Sequence, residues 1–210
     1  MVESHPSKPP PDEQILDAAM HVFAERGFAG ARVDEIARQA GVNKAMLYYH
    51  IGDKAALYEK VLIRNFDRLL DTISGAARDA STPADRFRAV VESLIALVCE
   101  MPEHPRIILH ELACGGAHLP DAAVARMAEA LATVQRIIGE GVTDGSMRNV
   151  DTVLTHATLV GAIVFGQVIR PIGQRMLETG LPIELPSASE HAHQLTDLLL
   201  QGLLARGGQQ

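Results

Sequence analysis

Residues 33–50 read Val33-Asp-Glu-Ile-Ala-Arg-Gln-Ala-Gly41-Val-Asn-Lys-Ala-Met-Leu47-Tyr-Tyr-His50, and this stretch decides the fold. Val33, Ile36, Ala37 and Ala40 recur at helical spacing, Gly41 is a stop, and Asn43 is a side-chain cap for a two-turn helix over Lys44 to His50. Two short helices joined by a tight glycine-containing turn form a helix-turn-helix candidate. Successive helical residues lie ~100° apart, so Tyr48 and Tyr49 cannot both point inward. At least one phenol faces solvent, beside Lys44, His50 and the nearby Lys54. Phenols, an imidazole and ammonium groups are the donors that clamp phosphate oxygens while a helix sits in the ~12 Å major groove. Residue types alone are equally met by a solvated amphipathic helix.

Outward from this stretch the pattern stays helical. Ile15, Leu16, Ala19, Val22 and Phe23 form one face of a helix that Gly27 ends, and Pro6, Pro9, Pro10 and Pro11 predict a mobile arm over residues 1–11. Asp53 caps a longer helix with the stripe Leu57, Val61, Leu62, Phe66, Leu69 and Ile73. Thr82-Pro83 starts the next, which ends at Met101-Pro102; Pro105 and Pro120 open two more, closed by Gly115-Gly116 and Gly145. Asp151 starts a long apolar helix in which Pro171 is a kink or an end, and Ser187 with Glu190 has capping-box spacing for the last helix. Nothing alternates strictly, so the fold class is all-α, about nine helices: a helix-turn-helix domain over 12–53 and a larger helical bundle over 54–210.

Composition narrows the function. With 47% hydrophobic and 21% charged residues the 210-residue chain folds as a globular protein rather than a disordered one. A net charge of −7 excludes nucleic-acid binding through bulk charge, so such a site must be local. Residues 32–54 carry four Lys+Arg against three Asp+Glu, a thin margin that calls for two reading heads. Cys99 and Cys114 show no CxxC spacing, and with no secretory signal a cytoplasmic, disulfide-free protein is expected. Residues 152–169 lack charge, yet Thr155, His156, Thr158 and Gln167 interrupt them, which favours a buried helix over a membrane span. Glu190 and His193 make the only Glu-x-x-His, no cysteine cluster has zinc spacing, and no nucleophile–base pair or phosphate loop occurs. No metal, cofactor or enzyme activity is expected; the alternative is a small-molecule enzyme or metal-bearing helical bundle with a structural helix-turn-helix.

The run from Ile15-Leu-Asp-Ala-Ala through Phe23-Ala-Glu-Arg-Gly27-Phe, the stretch 33–50, and Lys54-Ala-Ala-Leu57 together resemble the DNA-binding domain of the TetR family of bacterial transcriptional regulators, over about 50 residues. The resemblance implies a homodimeric, ligand-responsive regulator, a repressor, on a pseudo-palindromic DNA operator. It implies base-edge positions at Lys44, Ala45 and Tyr49, phosphate positions at Tyr48, His50 and Lys54, and a backbone contact at Arg32. Ala31 stands where the family commonly has a capping Thr or Ser, Ala45 where Gly is frequent, and Ile51 where an aromatic is usual.

The family's pairing of its two last helices points here to Leu154, Val160, Ile163, Val164 and Val168, with Leu195, Leu198, Leu199 and Leu203, as a dimer interface. Those faces serve equally to complete the subunit's own core. Gly161 and Gly166 permit close helix approach. For a small-molecule effector, polar groups on apolar helices are candidates: His110, Glu111, Cys114, His156, Gln167 and Arg170, with Phe87, Met101, Met127 and Phe165 as walls. With only 4% aromatic residues the pocket is expected to be aliphatic and its ligand hydrophobic or amphipathic.

Overall fold

The computed structural model describes residues 11–78, 80–180 and 184–205, and among these are nine helices and no strand beyond a single Met147–Leu204 bridge. In chain order they are α1 (Pro11–Gly30), α2 (Val33–Ala40), α3 (Lys44–His50), α4 (Lys54–Arg78), α5 (Pro83–Glu100), α6 (Glu103–Ala113), α7 (Asp121–Thr143), α8 (Thr152–Glu178) and α9 (Ala188–Leu203). Of the expected mobile arm only Pro11 is described, and it opens α1; the remaining ten residues lie outside the described ones.

Capping chemistry sets the boundaries. The side chains of Asn43, Asp53, Thr82, Asp151 and Ser187 each accept a backbone N–H in the first turn of the helix that follows, removing one of its unpaired donors. Glu190 returns the bond to Ser187 N, completing the capping box. Gly41 closes α2 in the left-handed conformation at φ 70°. α1 breaks at Gly27, where φ is 65°, and the chain keeps one further turn to Gly30. A side chain at Gly27 is disfavoured twice, by that φ and by His110 Nδ1, which would lie 3.2 Å from its Cβ.

One boundary needs correction, and one of two alternatives falls away. α6 begins at Glu103 rather than Pro105, because proline in a first turn sacrifices only an N–H that has no helical partner there. α8 runs through Pro171 to Glu178, losing one hydrogen bond rather than ending.

The apolar residues form two cores. The first gathers α1–α3, the α4 segment from Leu57 to Phe66, and Ile107, Ile108, Ala123 and Val164. The second takes α4 from Ile73 and packs it with α5, α7, α8 and α9. α4 is thus shared, and the chain's turn at Asp53 is not a break in packing.

Ile163 and Val164 are 5% and 8% exposed, and Leu195 and Leu203 are buried as well, so these four complete the subunit's own core instead of facing a partner. Leu154 and Leu198 of that expectation stay exposed side by side in a shared groove, and α8 continues the open stripe through Phe165, Ile169, Ile172 and Met176. Gly161 has open space beside it, whereas at Gly166 the His191 ring of α9 lies where a Cβ would stand and would have to shift to admit one.

Phe23 is fully buried, 4.7 Å edge-on from Tyr58 and 6.3 Å from Phe28. Phe23→Ala should lower stability by about 3–5 kcal/mol, read as a lower urea midpoint at unchanged slope.

Candidate functional site

Two places carry functional chemistry: the outer face of α3 and a cavity within the helical bundle. Leu47, with no exposed surface, and Ile51 pin α3 to the first core. Its other side then presents Lys44, Ala45, Met46, Tyr48 and Tyr49 to solvent. Tyr49 is 87% exposed, the most open of the exposed large apolar and aromatic side chains, and Tyr48 is 44% exposed. Met46 was not singled out by sequence, because an exposed methionine carries no signal until the helix is oriented.

Lys44, His50 and Lys54 around α3 each already have a partner. Lys44 Nζ lies 2.8 Å from Asp34 on α2, and that hydrogen bond raises the ammonium's pKa above its ordinary value. His50 Nδ1 lies 2.8 Å from Asp12 in the first turn of α1. Lys54 donates to Ala29 O at 3.2 Å and sits 4.7 Å above the Phe28 ring, where partial desolvation lowers its pKa. Arg32 is exposed and occupies the N-cap of α2 without a side-chain cap; the missing cap expected at Ala31 belongs to Arg32, since Ala31 is 3% exposed and precedes the cap.

Between α4, α5, α6, α7 and α8 lies a cavity of about 100 Å³. Phe66, Leu69 and Ile73 wall it from α4, Leu94 and Val98 from α5, Met127 and Val134 from α7, and Val160 and Ile163 from α8. Its polar groups are His104 of α6 and His156 of α8, and Nδ1 of each is buried without a hydrogen-bond partner. His104 stands edge-on to Phe66 at 5.4 Å, and burial pulls its pKa down to about 4; burial also lowers that of His156.

Of the ten expected ligand residues, Met127 and His156 line this cavity. Phe87 is fully buried in the second core, away from it, and Phe165 is 62% exposed on the outer face of α8. Cys114 is exposed at the end of α6, and His110 abuts Gly27. Gln167 donates to Cys99 Sγ at 2.7 Å and Arg170 to Pro186 O at 3.0 Å. Met101 instead borders a polar cleft that Asp17–Arg64 and Arg68–Glu100 ion pairs rim. His104 escaped sequence reading; its place two residues after Pro102 in an opening turn looks like surface. Among the described residues no group of three His, Cys, Asp or Glu is placed to hold a metal.

α6 links the two places. Its His104 and Ile108 line the cavity, while Glu111, 2% exposed, accepts the Tyr58 hydroxyl of α4 at 2.7 Å and the His118 N–H at 3.2 Å.

This architecture, a short helix-turn-helix head on a helical bundle with an internal cavity, matches known families along most of its length. The family description "Bacterial regulatory proteins, tetR family" matches residues 15–61, and "Tetracyclin repressor-like, C-terminal domain" matches residues 80–165. The chain is 29% identical to the HTH-type transcriptional repressor NicS of Pseudomonas putida, over 91% of each chain. It is 41% identical to the HTH-type transcriptional activator FasR of Mycolicibacterium smegmatis, over 40% of this chain and 39% of FasR's length. The fold is that of FadR from Bacillus subtilis, solved with stearoyl-CoA: TM-score 0.74 at 19% identity, over 90% of this chain and 98% of that one. The chain belongs to the TetR family and is a DNA-binding transcriptional regulator with a ligand-binding helical domain.

A histidine with a pKa of about 4 when folded and ~6.5 when unfolded takes its proton in the unfolded chain first. Stability should therefore fall as pH drops from about 6.5 to 4, by an amount of about 3 kcal/mol from His104 alone. Urea titrations across this range should show His104→Phe losing stability less steeply than the parent; equal slopes would contradict the buried neutral imidazole.

Proposed function

We propose that the chain is a homodimeric repressor, released from a pseudo-palindromic operator by a small hydrophobic or amphipathic effector bound in the α4–α8 cavity. On this reading residues 12–53 are the reading head and 54–210 sense and dimerise. Lys44, Ala45 and Tyr49 approach base edges, Tyr48 grips phosphate, and Arg32 meets the backbone at the start of α2. His50 and Lys54 contribute by exchanging Asp12 and Ala29 O for phosphate oxygens.

The observation that carries the reading is the path of α4. The helix starts at Lys54, beside the end of α3, and about 18 Å further along its axis it walls the cavity at Phe66. An effector that fits one tilt of α4 better than another biases where the two α3 helices of a dimer stand, and only such differential affinity switches the protein. The repressor sense follows NicS, the relative aligned over nearly its whole length. The exposed stripe on α8, with Leu198 alongside, supports an isologous two-fold interface.

The test is selection on random duplex DNA with sequencing of recovered sites. An inverted repeat is expected, and no enrichment at low salt would sink the reading. Tyr49→Ala should change preference at particular bases, whereas Tyr48→Phe should weaken all sequences alike; equal losses everywhere for both contradict the assigned roles. Phe165→Glu should halve the sedimenting mass, and an unchanged dimer would put the interface elsewhere.

A further inference from the structure

Resting on the cavity as the effector site, we infer that its ligand is a compact, uncharged, hydroxyl-bearing molecule, gripped through its oxygen by His104 and His156. Charge is disfavoured first. No Asp, Glu, Lys or Arg is among the residues lining the cavity, so an ionised group placed there would be stripped of water with no counter-charge. The two histidines do not supply one, since burial favours the neutral form of both. A stearoyl-CoA-like anion of the kind FadR holds has no anchoring cation here.

Polarity is required second. The Nδ1 atoms of His104 and His156 are the two buried side-chain nitrogens or oxygens without a partner among the described residues, and both residues face this one cavity. His104 is 7% exposed and stands edge-on to Phe66, so little of its ring reaches bulk solvent. A neutral imidazole nitrogen donates in one tautomer and accepts in the other. A hydroxyl, with one donor and two lone pairs, satisfies either arrangement, whereas a ketone or ether oxygen only accepts. A single trapped water would find two partners in an otherwise apolar wall, at the low end of what holds one, and is readily displaced.

Size is third. An apolar cavity of ~150 Å³ accepts benzene. Here about 100 Å³ is open, and Met127, an unbranched and adaptable side chain, forms part of the wall. One ring or a short branched chain bearing one hydroxyl fits; an extended acyl chain does not.

The test is calorimetric titration of the full-length protein at pH 7.5 with phenol, benzene and benzoate. Phenol should bind about tenfold more tightly than benzene, the worth of a net hydrogen bond, and benzoate no more tightly than benzene. His104→Phe and His156→Phe should each reduce the phenol preference while benzene binding persists. Equal affinity of the parent protein for phenol and benzene, tighter binding of benzoate, or no uptake of phenol overturns the inference without recourse to either variant. Duplex binding measured on the same samples separates the two readings: a protein that binds its selected duplex but does not prefer phenol loses only this inference, and one that prefers phenol but binds no duplex loses the regulator.

Discussion

α4 has to satisfy two cores at once, and the arrangement of the whole chain depends on that. Leu57, Val61 and Leu62 are fully buried against α1–α3, while Ile73, 1% exposed, belongs to the bundle two turns beyond Phe66. Neither end can rotate about the helix axis independently, because the i, i+4 ladder between them is continuous from Lys54 to Arg78. The head and the bundle are therefore joined by a lever rather than a tether. This explains why a turn in the chain at Asp53 divides the sequence without dividing the packing.

The lever is braced by α6. Tyr58 places its hydroxyl on Glu111, a carboxylate nearly free of solvent contact, and burial together with that carboxylate pushes the phenol's pKa upward. The same ring packs against Phe23 and Phe28, and Phe28 lies 4.8 Å from His118, whose backbone also serves Glu111. A buried carboxylate of this kind is costly when one partner is lost, which favours a junction that moves as a unit over one that deforms gradually. α6 and α4 are thus tied by a small number of satisfied polar contacts at the level of the first core.

The parts of this structure that were legible in the sequence are those set by local chemistry. Asn43, Thr82, Asp151 and Ser187 announce helix starts because their oxygens replace backbone partners within the first turn, and Gly27 and Gly41 mark breaks because both take positive φ. The exposed tyrosine pair on α3 was legible because ~100° per residue leaves no other arrangement. What sequence did not disclose depends on which elements meet. His104 is a cavity residue only because Phe66 of α4 and Val98 of α5 close over it, and Phe87, on the apolar stripe of α5 with Leu94 and Val98, packs into the second core without reaching the cavity those two line. On α8 apolar residues occur on every side of the helix between Leu159 and Ile169, so the sequence alone mixed inward and outward positions into one face. Only the packing of Leu159, Ile163 and Val164 separates the inward face from the one bearing Phe165.

The ion pair between Lys44 and Asp34 has a consequence for how such a head searches. With Asp34 beside it, the exposed Lys44 carries part of its own counter-charge, and fewer salt ions remain to be released there when it meets an arbitrary duplex. Any encounter with unrelated DNA is thereby held less by charge at this one position.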